Sequence, residues 1–368
     1  MDRVGSRVLA VAPFAAAALG ALILAFAVMV FIGSRGFGYD FAAYDDAARR
    51  ITNGASVFLP DTAARYAAGE YEGLYLYPPQ LAIAMVALTV FDPTTATLAW
   101  MFIRIGLLTL GCAVLPVRSS IRFLTFAVAC VSYPVLFDLN LGNISVLAFG
   151  LSAIAWRMAD RPAAAFAHAA LIAMRFPFGI FFVQWLVQRR WRSIVWTIAA
   201  GVTLILLSLP IVGVASYVDY VTILRGLPDI STGPHNLSLR STALALGVGP
   251  DVAALVMPIG YLLGLGAVVY AARRRDPDVA FVVTATATLV VSPFIHPHYL
   301  VLLLLPAALL ADRGRGWAIA LPLVGWLPDP FLPLAGPLAI VLLLTTGPVA
   351  AVAPAPPSIP SPAPNPAR

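Results

Sequence analysis

The sequence predicts an all-helical protein that crosses a lipid bilayer many times. Of its 368 residues, 61% are hydrophobic and 11% are charged, whereas about a quarter of a typical soluble domain is charged. The mean hydropathy is +0.90. Apolar runs recur along the chain from 8–32 to 331–350. These observations exclude a soluble globular domain and predict a polytopic membrane protein.

We expect about 12 membrane-spanning helices, because a span takes roughly 20 apolar residues. The positive-inside rule places the arginine-rich breaks between apolar runs on the cytoplasmic side. They share that side if 78–91, which opens with Pro78 and Pro79, is a re-entrant or interfacial segment. The same placement also needs a break at Arg175 that divides 163–188 into two short helices. Both termini are then cytoplasmic.

The predicted organisation is one integral membrane domain over residues 1–350. A long first extracytoplasmic loop, 33–95, carries interfacial or re-entrant helices. The Pro/Ala/Ser-rich segment 351–368 is of low complexity and predicts a disordered cytoplasmic tail. This topology gathers most Asp, Asn and His side chains on the outer face, which favours a functional site there.

The net charge of +6 comes from arginine, since the sequence contains no lysine. A basic excess in a membrane protein reflects its cytoplasmic loops, so nucleic-acid binding is not predicted. Cys112 and Cys130 lie inside apolar runs and are expected to be buried. No spacing of Cys and His indicates a zinc site, so we predict no cofactor and treat a metal as optional.

Asp40 follows the first span and begins a stretch, 40–51, with the spacing of an amphipathic helix on the outer leaflet. Two interpretations of Asp40 stay open: a helix N-cap, or a general base that deprotonates a sugar hydroxyl. Asp45 and Asp46 are placed to pair with Arg49 and Arg50 at i+4.

Arg175 stands within an apolar run directly before Phe176-Pro177, where a charge is costly and therefore indicates function. A guanidinium there would bind a phosphate through two parallel hydrogen bonds, although it could instead reach the outer headgroups. Arg104 is a similar but weaker candidate.

Other polar residues on the outer face are candidates for binding a sugar or a phosphate. Tyr77, like Tyr75, fits the headgroup belt. Asn143 follows the turn residue Gly142 and could cap a helix or bind a sugar. His296 and His298 could bind a metal, or donate to a phosphate or a sugar oxygen. Further polar side chains precede an apolar segment: His235, Asn236, Ser238 and Arg240.

The motifs, in their order along the chain, resemble those of bacterial polyprenol-phosphate-mannose-dependent mannosyltransferases, glycosyltransferase family 87, which have the GT-C fold. The resemblance covers roughly residues 30–310 and rests on these elements: Asp40-Phe-Ala-Ala-Tyr44, Leu76-Tyr-Pro-Pro79, Leu141-Gly-Asn143, a basic residue before proline at 175–177, Asn236-Leu-Ser-Leu-Arg240 and Ser292-Pro with His298-Tyr299. Arg175 stands where the family is expected to have lysine, and His296-Pro297 precede the His-Tyr element.

The resemblance implies an inverting transferase that uses a polyprenyl-phosphate sugar, typically mannose, at the extracytoplasmic face of the bacterial plasma membrane. The acceptor is expected to be a glycolipid or another glycan. Asp40 matches the catalytic carboxylate and His298 an active-site histidine. Arg175, Arg240 and His296 are then expected to bind the donor phosphate. The residues expected to bind the acceptor or the sugar are Tyr44, Asp45, Tyr77, Asn143 and Asn236.

Two other classes of protein share the composition. A transporter or flippase of a lipid-linked or small polar solute is the main alternative, but it would carry mid-bilayer charges on several helices. A structural membrane subunit would leave the polar residues of the outer face unexplained.

Overall fold

A computed structural model describes residues 3–159, 161–232 and 236–346, and within these ranges every regular element is helical. The α-helices are α1 (Arg3–Ile32), α2 (Tyr39–Thr52), α3 (Thr62–Ala67), α4 (Pro79–Met85), α5 (Pro93–Val114), α6 (Ser119–Val131), α7 (Tyr133–Leu141), α8 (Ser145–Arg157), α9 (Pro162–Met174), α10 (Phe181–Val187), α11 (Trp191–Gly226), α12 (Leu239–Ala245), α13 (Pro250–Arg274), α14 (Pro277–Ala287), α15 (Leu304–Asp312) and α16 (Ala335–Leu344). Short 3₁₀ segments lie at Val86–Leu88, Phe176–Ile180, Ile230–Thr232, Pro297–Leu303, Gly316–Trp326 and Asp329–Leu334. The all-helical class predicted from the sequence is confirmed.

Among the described residues, four helices are long and apolar enough to cross a membrane by themselves: Val11–Ile32 of α1, then α5, α11 and α13. The bent pair α6 and α7 passes the same test together, with an angle of 61° at its break. The other apolar helices have 10–17 residues, counting the 3₁₀ segments that continue them. These features agree with a polytopic membrane protein, while the number of 12 spans stays a prediction.

The centre of the bundle is formed by α14, the 297–303 segment and α15, in which nearly every side chain is buried. Helices α11 and α13 instead expose much of their apolar surface, including Leu207 and Leu262. Water does not solvate such surfaces favourably, so these faces are expected to contact lipid. The core therefore holds the irregular segments, and long helices surround it.

The predicted helix at 40–51 is present as α2, and its apolar residues pack against α4 and α5. Phe41, Tyr44 and Ala48 are almost fully buried, so this face of the helix belongs to the protein core. Its location at the outer leaflet stays a prediction. Helix α4 and the 3₁₀ turn after it form one helix of 10 residues, Pro79–Leu88. At about 1.5 Å per residue, that helix is too short to span the bilayer alone.

Two breaks in long apolar stretches differ in origin. Arg175 has an extended backbone (φ −149°, ψ 96°) and separates α9 from Phe176–Ile180, as the following proline predicted. Residues 214–226 continue α11 as helix beyond Gly213. Gly213 (φ 70°, ψ 166°) bends the helix there, which a residue without Cβ allows. The tail at 351–368 lies outside the described residues.

Candidate active site

A cavity of about 1200 Å³ opens beside the N-terminus of α2. One part of its wall is polar and contains Asp40, Asn143, Arg175 and His298. These four residues come from separate elements: α2, the turn before α8, the break after α9 and the 297–303 segment. The structure therefore brings together side chains that are up to 258 positions apart in the sequence.

Asp40 is the second residue of α2 and lines the cavity while partly buried. Its Oδ2 accepts a hydrogen bond of 2.8 Å from Nδ2 of Asn143. Burial raises the pKa of Asp40 to about 6, against the opposing effects of the Asn143 amide and the Arg104 charge. Gly38 occupies the N-cap position, and no side chain caps this helix. The N-cap interpretation of Asp40 is therefore wrong, and its placement suits a base near neutral pH.

The turn between α7 and α8 holds Asn143 in place. Its Oδ1 accepts from the backbone N–H of Ile144 at 2.7 Å and from the Ser145 hydroxyl at 3.3 Å. Gly142 has φ +84°, a conformation that side chains rarely adopt. The Trp100 indole donates to the Gly142 carbonyl at 2.8 Å. Asn143 thus supports both the start of α8 and the carboxylate of Asp40.

A Gly142→Ala substitution should damage this turn. An added Cβ would lie 2.6 Å from Cβ of Phe41 on α2, closer than any real contact, and the positive φ would add strain. We expect a lower thermal unfolding midpoint in detergent and a displaced α2. The measurement is thermal unfolding of purified Gly142→Ala beside Gly54→Ala, whose Cβ would meet nothing and whose φ is also positive. Equal midpoints for the two variants would contradict the packing argument.

Arg175 is 7% exposed, and its guanidinium carbon lies 3.4 Å from the centre of the Tyr299 ring. This stacking fixes the plane of the guanidinium. Neither Nη1 nor Nη2 has a hydrogen-bond partner among the described residues. Buried guanidinium groups are normally paired, so two unpartnered donors on a cavity wall indicate a place for an anion.

His298 is 3% exposed, and both of its ring nitrogens also lack a hydrogen-bond partner within the described ranges. The His296 ring stacks on it at 5.5 Å, and both rings line the cavity. Across the described chain, no three His, Cys, Asp or Glu side chains are grouped to hold a metal ion. The unpartnered ring nitrogens of His298 can form hydrogen bonds with a substrate.

Tyr44 and Tyr77 line the same cavity, with their rings 5.3 Å apart at right angles. Aromatic rings beside a carboxylate and an amide suit the apolar faces and hydroxyls of a sugar. Of the 12 tyrosines in the chain, nine line the cavity: Tyr39, Tyr44, Tyr66, Tyr71, Tyr77, Tyr133, Tyr217, Tyr220 and Tyr299. The polar wall therefore carries many hydroxyl groups and few charges.

Three residues predicted for the site lie elsewhere. Asp45 is buried, but its Oδ2 accepts from Arg49 at 2.8 Å, and it does not line the cavity. Arg240 pairs with Asp229 and donates to the Ser231 hydroxyl at 3.1 Å, also outside the cavity wall. Each of the two side chains is directed to a nearby partner of opposite charge instead of to the cavity. For Asp45, the i+4 spacing to Arg49 had already suggested that partner.

Asn236 likewise serves the fold. Its amide donates to the carbonyls of Ile230 and Pro293, at 2.8 and 2.9 Å, and its oxygen accepts from the N–H groups of Ser238 and Ile295. Four hydrogen bonds use all the capacity of one amide side chain. Asn236 therefore joins two loops, and its amide has no hydrogen-bonding capacity left for a sugar. His235 lies outside the described residues.

Sequence reasoning missed two features of the site. Asp138 is fully buried and pairs with Arg104, and Tyr299 stacks on Arg175. Asp138 lies within an apolar segment, where a carboxylate is expected to have a partner of opposite charge. Arg104, which also lies within an apolar run, was the candidate for that partner. Nothing in the sequence indicated that Tyr299 would meet a residue 124 positions earlier.

The cavity also has an apolar arm between α9 and α11. Ala169, Ile172 and Ala173 line one side, and residues of the first half of α11 line the other. Of those α11 residues, Ile198 and Val202 are 53% and 49% exposed at the surface of the bundle. The arm therefore opens on a side of the protein that is expected to face lipid.

The fold and the cavity together define a helical membrane protein with a partly polar, partly apolar binding site. The sequence model of glycosyltransferase family 87 matches residues 75–293, more than half of the chain. The chain therefore belongs to glycosyltransferase family 87, and the GT-C fold is consistent with its helical architecture. No curated protein and no solved structure matches it. The matched residues include Asn143 and Arg175, whereas Asp40 and His298 lie outside them.

Proposed function

We propose that this glycosyltransferase moves a sugar, most simply mannose, from a polyprenyl-phosphate donor to a glycolipid or glycan acceptor at the extracytoplasmic face. The observation that carries the proposal is one cavity that joins an apolar arm to unpartnered cationic and imidazole donors and to a carboxylate. Such a cavity suits a substrate with an isoprenoid chain, a phosphate and a sugar. The family match gives no support to the transporter alternative.

The proposed reaction is a single displacement with inversion at the anomeric carbon. The Asp40 carboxylate takes the proton of an acceptor hydroxyl while its oxygen forms a bond to that carbon. The bond from the carbon to the donor phosphate oxygen breaks, and its electron pair stays on the phosphate. Arg175 and His298 stabilise the resulting charge by hydrogen bonds that strengthen as it develops. Tyr44 and Tyr77 contact the sugar.

The test is sugar transfer in membranes from cells that express the protein and from cells that do not. Three radiolabelled donors would be offered separately: polyprenyl-phosphate mannose, nucleotide-activated mannose and polyprenyl-phosphate arabinofuranose. We expect a labelled product from a polyprenyl-phosphate sugar only when the protein is present. Label from the nucleotide sugar alone, with polyprenyl-phosphate synthesis blocked, would overturn the donor class. No product from any donor, despite normal expression, would overturn the proposal.

Filling the apolar arm should weaken binding of the donor lipid. Gly201 of α11 lines the arm, and a Cβ there would meet no atom within 4 Å. A Gly201→Trp side chain would therefore begin in open space, and we expect its ring to occupy the arm. We expect KM to rise at least about tenfold for a long polyprenyl donor and little for a short-chain analogue, because only the long chain fills the arm. The measurement is KM for both donors.

Gly266 of α13 offers the matched control. It also has open space around its Cβ position, but it does not line the cavity. Gly266→Trp should leave both KM values unchanged. An equal rise in KM for the two donors in Gly201→Trp would show that the substitution acts on the whole site and not on a lipid-binding arm.

A further inference from the structure

The carboxylate of Asp40 is held by a single side chain. Asn143 donates to its Oδ2, and no other hydrogen bond reaches the carboxylate from the described part of the chain. Asn143 comes from a different element, the turn between α7 and α8, 103 residues later. The direction of the Asp40 carboxylate therefore depends on how firmly this turn is fixed relative to α2.

A buried ion pair fixes the turn. Arg104 of α5 and Asp138 of α7 are fully buried, and Nη1 of Arg104 lies 3.3 Å from Oδ2 of Asp138. The guanidinium also donates to the carbonyls of Asp138 and Leu139 near the C-terminus of α7, at 2.5 and 3.0 Å. The Asp138 carbonyl accepts from the N–H of Asn143 as well, at 3.2 Å. The other oxygen of Asp138 accepts from the N–H of Ser145 at the start of α8, at 2.8 Å.

Two further hydrogen bonds and a close packing contact tie the same region to the chain around the start of α2. The N–H of Gly38, just before α2, donates to the carbonyl of Asn140 at 2.8 Å. The Ser34 hydroxyl donates to Oδ1 of Asn140 at 2.9 Å. Gly142 packs directly against Phe41. The pair, the turn and the N-terminus of α2 thus form one continuous hydrogen-bonded unit with Asp40 at its cavity side.

We propose that Asn143, held by the buried pair of Arg104 and Asp138, is a positioning residue for Asp40 and not a sugar-binding residue. The inference rests on the proposed function in one respect, that Asp40 is the base. This role explains why two charges are buried in an apolar bundle, although their desolvation costs free energy. The Asn143 amide aims the carboxylate and favours its ionised form.

The titratable and charged groups around Asp40 come from several elements. They are Tyr39 and Tyr44 of α2, Tyr77 before α4, Arg104 of α5, Asp138 of α7 and Tyr299 of the 297–303 segment, with Arg175 and His298 on the same cavity wall. The tyrosines stay neutral over the pH range of interest. The charge state of Asp40 therefore depends first on its burial, and then on the Asn143 amide and the Arg104 charge. Activity of the wild type is expected to rise with pH through about 6, because only the ionised Asp40 accepts a proton.

An Asn143→Asp variant separates positioning from a role in the turn alone. Its side-chain oxygen can still accept from Ile144 and Ser145, but it has no N–H to give to Asp40 and brings a second negative charge beside it. We expect the midpoint of the pH–rate profile to move upward by about one pH unit or more. Transfer at pH 6 should fall at least about tenfold and recover partly at higher pH.

Asn143→Ala and Asp138→Asn complete the test. Asn143→Ala should also raise the midpoint, by less than Asn143→Asp. Asp138→Asn keeps an acceptor for Ser145 but loses the ion pair, so the maximal rate should fall while the midpoint does not rise. The variants share every other cavity residue, so differences between their pH–rate profiles report on Asp40.

The inference is overturned if Asn143→Asp keeps the midpoint and the rate of the wild type. It is also overturned if Asn143→Asp lowers the rate equally at every pH, since a damaged turn alone would do that. If Asp138→Asn does not fold, the two Asn143 variants still test whether Asn143 positions Asp40. Failure of the proposed function looks different: either the wild type would transfer no sugar from any donor, or the Asp40→Asn variant would remain active.

Discussion

Replacing Asp40 by asparagine is expected to lower sugar transfer at least about a hundredfold, the usual contribution of a general base. Asparagine fills the same volume, and its oxygen can still accept from the Asn143 amide, so the wall of the cavity is kept. Only the ability to take a proton is lost. The measurement is the initial rate of transfer from polyprenyl-phosphate mannose by purified protein in detergent or liposomes, with the unfolding midpoint measured in parallel.

Asp46→Asn is the matched control, because Asp46 lies on the same helix and in the same chemical class. Its side chain is 57% exposed, pairs with Arg50 and does not line the cavity. We expect it to keep the wild-type rate, since an exposed ion pair contributes little to stability. Similar rates for the wild type and Asp40→Asn would remove Asp40 from the mechanism. Asp138 would not replace it, because Asp138 is fully buried behind the cavity wall.

Composition and periodicity predicted the fold class and several local features. The helix at 40–51, the pairs of Asp45 with Arg49 and of Asp46 with Arg50, and the break at Arg175 are all present. Each of these follows from residues within a few positions of one another, through helical spacing or the restriction that proline imposes. Local sequence determines such features, so they could be predicted.

The composition of the cavity wall was harder to predict, because it depends on contacts between distant segments. Asn236 and Arg240 had suitable side chains, but partners elsewhere in the fold use their hydrogen-bonding capacity. Asp138 lies within an apolar segment, and its partner Arg104 comes from a different helix, 34 positions earlier. Residue type therefore indicated candidates, and only the three-dimensional arrangement distinguished a paired charge from an unpaired one.

That distinction gives Arg175 its significance. Among the arginines singled out from the sequence, Arg104 is paired with Asp138 and Arg240 with Asp229. Arg175 is buried, stacked on Tyr299 and left with two guanidinium nitrogens without partners in the described structure. Stacking orients the fork of N–H groups in advance, so little freedom is lost when a phosphate binds. The break at Phe176-Pro177 places this fork at the cavity wall.

Replacing Arg175 by alanine should therefore lower transfer about a hundredfold, as expected for loss of a donor to a developing charge. The effect should fall more on kcat than on KM for the donor, because negative charge grows on the phosphate as its bond to the sugar breaks. Arg175→Lys should keep part of the activity, since it retains the charge but loses the paired N–H groups and the stacking on Tyr299. The measurement is kcat and KM for polyprenyl-phosphate mannose.

Arg240→Ala provides the control, because the sequence placed both arginines on the donor phosphate and the structure separates them. Its guanidinium pairs with Asp229 outside the cavity wall, so kcat should stay within about twofold of the wild type. A loss in Arg240→Ala as large as that in Arg175→Ala would mean that the phosphate lies nearer to α12. A wild-type kcat for Arg175→Ala would mean that the unpartnered guanidinium binds something other than the leaving phosphate.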